Sequence, residues 1–234
     1  MRTYDSAWPG ADPAAWVVSS GGDAPASWTV LEDCLLSACR IVNGLVHGRL
    51  DTRPLVPTTV RLESGERVLA AGPAELYSWR ALGDGSYVHE GMQVFGGLGF
   101  LLLSVLGSAL VNAIRRRQAE ADAESRWVAE EGAMATITDR RVCFRGPDTA
   151  LDVGWDALDM VELVASDVVE LSFDDIRHGD YRTLRVRSEW AALMFAIAAH
   201  TAFPAHPRLL SGGWLPPGFE ERCAAIGRWC PSVR

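Results

Sequence analysis

The chain contains no lysine: all 22 basic residues are arginine, set against 30 aspartates and glutamates, for a formal net charge of -8. Phosphate recognition needs clustered cations, so this balance excludes a nucleic-acid partner. The longest basic run, Arg115-Arg116-Arg117, is short and is followed at once by Glu120, Asp122 and Glu124. No CxxC pair exists among the five cysteines, Cys34, Cys39, Cys143, Cys223 and Cys230, and their number is odd. Neither a disulfide framework nor a zinc site is signalled, and reduced cytosolic thiols are the reading. Residues 1–26 lack an apolar stretch, which argues against a secretory signal there. G-x-S-x-G, the P-loop and the dinucleotide fingerprint are also missing. Gly96-Gly97-Leu98-Gly99 is glycine-rich but has no Lys-Ser/Thr after it. No catalytic residue, metal ligand or cofactor is expected, and the chain reads as non-enzymatic.

A further absence is the most informative. Residues 92–114 carry no charged side chain and end directly in Arg115. About 20 apolar residues suffice to cross a bilayer as a helix. The expected membrane-inserted side chains are Val94, Phe95, Leu98, Phe100, Leu101, Leu102, Leu103, Val105, Leu106, Leu110 and Val111. Arg115, Arg116 and Arg117 fit a cytoplasmic boundary and contact with anionic lipid head groups. Ser104 and Ser108 have the small-xxx-small spacing of close helix contacts. A transmembrane helix is one expectation, an apolar helix or re-entrant hairpin bent at Gly96, Gly97 and Gly99 is another, and burial of the same stretch in a soluble homo-oligomer is the third.

Residues 1–60 read as a loose segment rich in Gly, Pro, Ala, Ser and Asp, holding one amphipathic helix over about 29–48. Thr29 and Glu32 form a capping box. Leu31, Leu35, Ala38, Val42 and Leu45 make one apolar stripe. Residues 66–79 look like one or two strands broken at Gly72-Pro73. Helix is expected to continue past the apolar stretch through 115–128. From Gly132 the hydrophobic period becomes two, and six short strands follow up to Arg187. Ser188 is read as the cap of a nearly all-apolar helix stopped by Pro204. Residues 206–234 form a tail with a short helix over about 218–229.

Several polar groups draw attention and have ordinary explanations. Asp174, Asp175, His178 and Asp180 lie close together, but a solvated hairpin turn accounts for them better than a metal site. His200 and His206 flank a helix end and suit its dipole. Cys143 lies in a strand with no histidine in its context, so it is no nucleophile. Arg140, Arg141, Arg182, Arg185 and Arg187 are interleaved with acids and read as a solvated face.

The run Ile137-Thr138-Asp139-Arg140-Arg141-Val142, followed by Gly154-Trp155-Asp156-Ala157-Leu158 with Val161, resembles bacterial pleckstrin-homology-like (PH-like) and GRAM-like domains. The first run is similar to their T-D-x-R hairpin and the second to the strand after it. The resemblance covers about residues 66–203 with the apolar stretch as an insertion. It implies an α+β fold: a PH-like antiparallel β-barrel or sheet capped by a C-terminal helix, after an N-terminal helix. It also implies binding to lipid, protein or peptide rather than catalysis. No lipid-binding signature of the family carries over, because the loop that would hold it contains the insertion.

A seven-stranded barrel needs its first strand from 66–79, ahead of the apolar stretch. A single crossing would then separate that strand from its partners, leaving edges unsatisfied. The function expected is a binding module at the cytoplasmic face of the membrane, its partner a membrane lipid or a membrane protein. The alternatives are a soluble homo-oligomeric interaction protein and a single-pass membrane protein.

Overall fold

The computed structural model describes residues 27–81, 124–175 and 180–232. The fold is α+β: an open antiparallel sheet of eight strands with helices packed against it. The strands are β1 (Val68–Arg80), β2 (Arg126–Ala129), β3 (Ala133–Thr138), β4 (Arg141–Arg145), β5 (Ala150–Gly154), β6 (Leu158–Ala165), β7 (Val168–Asp175) and β8 (Asp180–Arg187). Their order is β5-β4-β3-β1-β8-β7-β6, with β2 pairing β1 off this path. The helices are α1 (Val30–Val46), α2 (Ala191–Ala202), α3 (Pro207–Leu210) and α4 (Phe219–Ala225), with one-turn 3-10 helices at Leu50–Thr52 and Trp155–Ala157.

β1 organises the sheet. Its first half pairs with β3, from Val68 opposite Thr138 to Ala74 opposite Ala133. Its second half pairs with β8 and, from Tyr77 to Arg80, with β2. The sequence suggested a break at Gly72-Pro73, but the strand runs through both. Pro73 lies just before Glu75, where pairing with β8 begins, so its missing N–H interrupts no bond to that strand. Gly72 leaves room for an indole: a Cβ there would lie 2.8 Å from Cδ1 and Nε1 of Trp190.

The alternation seen from Gly132 onward is that of real strands. Val169, Leu171 and Phe173 on β7 and Leu184 and Val186 on β8 are buried, as are Trp155 and Phe144. α2 lies over these side chains, packed on β6, β7 and the turn at Trp155–Ala157. Every residue from Ala191 to Ala199 is buried because α1 covers the other side. α1 offers the face with Leu35, Ala38 and Val42, and its capping box of Thr29 and Glu32 is formed.

The C-terminal tail closes on α1. Arg222 pairs with Glu32 and Arg228 with Asp33. Trp28 stacks against Phe219 with ring centroids 6.1 Å apart, and Arg40 Nη2 donates to the Trp229 carbonyl at 3.4 Å.

Several expectations need correction. Among the described residues no helix is long and apolar enough to cross a membrane, so the transmembrane helix is not supported. α1 has a polar face, and α2 spans only 12 residues, well short of the roughly 20 a crossing needs. The stretch at 92–114 lies outside the described residues, as do Arg115, Arg116 and Arg117. Helix was expected through 128, yet Arg126–Ala129 is strand β2, because Trp127 and Val128 pair with Trp79 and Ser78. Ser188 does not cap α2. Trp190 holds the N-cap position, while Ser188 Oγ donates to the Pro73 carbonyl at 2.8 Å and ties the helix entry to β1.

Candidate functional site

The open end of the β1–β2 ribbon gathers aromatic and basic side chains. Antiparallel registration puts Trp79 opposite Trp127 and Arg80 opposite Arg126. Directly opposed residues of such a ladder share a face. The two indoles meet edge to face, with centroids 5.3 Å apart. Trp79 remains 51% exposed. Arg185, across β1 from Tyr77, stacks its guanidinium 4.2 Å from the centre of the Trp127 ring and pairs with Glu170. Arg80 and Arg126 are exposed at the end of the ladder. Such an end can offer large rings that bury apolar area while their N–H groups stay wet, beside cations that favour an anionic surface. Sequence reasoning missed it: Trp79 was placed at a strand end and Trp127 in a helix, and only their pairing unites them.

The T-D-x-R turn has a different role. Glu66, whose side chain is fully buried, receives two bonds from Arg141, Nε to Oε1 and Nη2 to Oε2, each at 2.9 Å. The Thr138 hydroxyl lies 2.9 Å from Glu66 Oε1 and accepts from the Arg140 and Arg141 amides. Asp139 Oδ1 accepts from the Arg67 amide at 2.9 Å. Trp155 Nε1 donates to the Thr138 carbonyl at 3.0 Å. Burial pushes the Glu66 carboxyl up, but Arg141, the Glu63 amide and Thr138 outweigh it and hold the group below its ordinary value. The motif is a structural clip joining the start of β1, the β3–β4 turn and the core.

The remaining sites fall out similarly. Arg140 pairs with Glu63, Arg182 with Asp175 and Glu130, and Arg187 with Asp167 and Glu75. These arginines therefore form ion pairs on the sheet. His178 lies outside the described residues. Asp175 is buried and engaged by Arg182. Among the described residues no group of His, Cys, Asp and Glu is arranged to hold a metal ion. His200 is pushed down by burial. His206, expected to answer the dipole at the end of α2, instead caps the start of α3, its Nδ1 accepting from the Arg208 amide. Burial, then the neighbouring Asp152, pushes the Cys143 thiol up to about 12, so it stays protonated near neutral pH. A shallow groove of about 480 Å³ between the end of α1 and the start of β1 is lined by Leu50, Asp51, Arg67 and Asp139 among others, and those four serve the fold.

Cys39 on α1 and Cys223 on α4 are buried in the core, and Cys230 in the tail packs against that core with its thiol toward the Pro231 carbonyl at 3.7 Å.

No protein-family model matches the chain, and no curated protein matches it in sequence.

Proposed function

We propose that this chain is a non-enzymatic PH-like binding module that works at the cytoplasmic face of a membrane, with the end of the β1–β2 ribbon toward the lipid. One observation carries the reading. β1 ends at Arg80 and β2 begins at Arg126, directly opposite each other, so the intervening chain with its charge-free 92–114 leaves and returns at one place. Trp79 and Trp127 flank that place, and indoles favour the boundary between water and hydrocarbon. The apolar stretch enters the interface from the module's side, and Arg115, Arg116 and Arg117 sit among anionic head groups.

The PH-like part of the reading is supported by the layout. The first strand comes from ahead of the apolar stretch and joins strands that follow Gly132, and one apolar helix closes the sheet. The T-D-x-R turn and Trp155 support it from the sequence side.

The test is flotation of the purified full chain with vesicles, one set of phosphatidylcholine and one containing phosphatidylglycerol. The chain is expected to float with both, more completely with the anionic set, and to resist a high-salt wash. Leu101→Asp with Leu103→Asp should return it to the dense fraction, because each leucine withdrawn from an apolar site forfeits about 1.5–3 kcal/mol. A wild-type chain that stays with the dense fraction as a defined oligomer would overturn the membrane reading in favour of self-association.

A further inference from the structure

We propose that Trp79 is an interfacial anchor: of the two ribbon-end rings it alone enters the boundary between lipid head groups and acyl chains, whatever the charge of the lipid, while Trp127 stays behind as its support. Trp79 can act so only if the module works at a membrane, the reading on which this role rests.

The two rings are held very differently. Trp127 belongs to a chain of contacts that crosses the sheet. Glu170 on β7 stands opposite Arg185 on β8, and Arg185 Nε donates to Glu170 Oε1 at 2.9 Å. The same guanidinium lies 4.2 Å from the centre of the Trp127 ring. Trp127 then meets Trp79, their centroids 5.3 Å apart and their planes inclined by 64°. The side chains of Arg185 and Glu170 are 27% and 18% exposed, and partial desolvation strengthens a cation over a ring. To enter lipid, Trp127 would have to leave that guanidinium. Trp79 ends the chain of contacts. It is the second-to-last residue of β1 and 51% exposed, whereas Trp127 is half-buried. About half of its surface is therefore open without any rearrangement. Backed by Trp127, the ring is ordered before lipid arrives, so less freedom is lost on contact.

Indifference to lipid charge follows from strand alternation. Successive residues of a strand point to opposite faces, so Arg80 and Arg126 are directed to the other face of the ladder from Trp79 and Trp127. On the tryptophan face Arg185 is held by Glu170 and Arg187 by Asp167. What remains for lipid there is an uncharged ring. It buries apolar area while its N–H stays in the wet layer, a contact that neutral phosphatidylcholine satisfies as well as an anionic lipid does. Preference for anionic lipid then belongs to Arg115, Arg116 and Arg117.

Quenching of tryptophan fluorescence by lipid bromine reads this contact directly. The stretch at 92–114 holds no tryptophan, so its own insertion adds nothing to the signal. The full chain is mixed with vesicles of phosphatidylcholine brominated near the upper end of its acyl chains, and in parallel with the same lipid containing phosphatidylglycerol. Flotation checks that it associates. Wild type, Trp79→Phe and Trp127→Phe are each compared with unbrominated vesicles, phenylalanine keeping a ring at either position. Most of the wild-type quench should be lost in Trp79→Phe and most of it kept in Trp127→Phe, to the same extent in both lipid mixtures. A chain that floats while Trp79→Phe is quenched as strongly as wild type would overturn the anchor and leave the membrane reading standing. Equal loss in Trp127→Phe, or a Trp79 quench that appears only with phosphatidylglycerol, would overturn it as well. A wild-type chain that stays in the dense fraction fails the membrane reading itself, and the anchor falls with it.

Discussion

Arg80 stands directly opposite Arg126 at the last pair of the β1–β2 ladder. Like charges facing each other across strands are unfavourable by a fraction of a kcal/mol. The neighbouring pair adds a favourable contact, Trp79 against Trp127, backed by Arg185. The Arg–Arg pair also fixes a boundary condition. Whatever the intervening chain does, it begins and ends on one side of the module.

That boundary can be read by crosslinking. Opposed residues in antiparallel strands have Cα atoms about 4.5–5.5 Å apart, within reach of a disulfide. In a background with the five native cysteines replaced, Arg80→Cys with Arg126→Cys should oxidise to an intramolecular link. Arg80→Cys with Val128→Cys should not, because Val128 faces Ser78. Equal linking of the two pairs, seen by mobility on a non-reducing gel, would refute the register.

Trp155 is fully buried and gives its N–H to the Thr138 carbonyl. Trp155→Ala should cost about 3–5 kcal/mol in urea denaturation. Trp155→Phe keeps most of the ring and orphans one carbonyl, so about 1–3 kcal/mol is expected. A phenylalanine variant as stable as wild type would mean that the turn does not depend on this bond.

Much of the sheet was legible because its signal is local. Val169, Leu171 and Phe173 alternate along β7 and all three are buried, although Ser172 between them is buried too and Leu151 on β5 is only half-buried. α1 was legible from its cap and stripe. What could not be read was pairing at a distance. β2 is only four residues long and follows a polar, acid-rich run, so nothing local marks it as strand. Its identity comes from β1. Gly72-Pro73 reads as a break by local rules, yet the strand continues because Trp190 needs the space and Ser188 the carbonyl. The ribbon end shares this character, being a product of tertiary pairing. Asp139 and Arg141 were visible as a motif, while Glu66, on which the motif closes, was visible only as the start of a strand.

The approach at Gly72 gives a prediction with an internal control. Gly72→Ala drives a methyl into the Trp190 ring and should cost about 1–3 kcal/mol. Gly132→Ala meets nothing nearer than the Ala74 carbonyl at 3.9 Å and should be nearly neutral. Trimming the indole with Trp190→Val should make Gly72→Ala cheaper in that background, a coupling readable by a double-mutant cycle. Additive costs would place the strain elsewhere.

Glu66 links stability to pH, and the sign follows from its partners. Its carboxyl is held below its ordinary value, chiefly by Arg141 working against burial. A group depressed on folding adds stability above its unfolded pKa, about 4.3 for glutamate, and loses it as pH falls through the folded value. Glu66→Gln keeps the shape but leaves Arg141 without its buried carboxylate, so it should cost about 3 kcal/mol at pH 7. As pH falls through the folded value the wild-type group takes up a proton and becomes as neutral as the amide, so the gap should narrow. Glu32, held low by Arg222 far from this turn, titrates alike in both proteins and cancels in the difference, whereas Asp152 also meets Arg141 at 3.5 Å and does not cancel. Urea titrations of the two proteins at pH 7, 5, 4 and 3 give that difference directly. A gap that stays constant across the series would show that Glu66 holds the turn by shape and hydrogen bonding, with its charge contributing nothing.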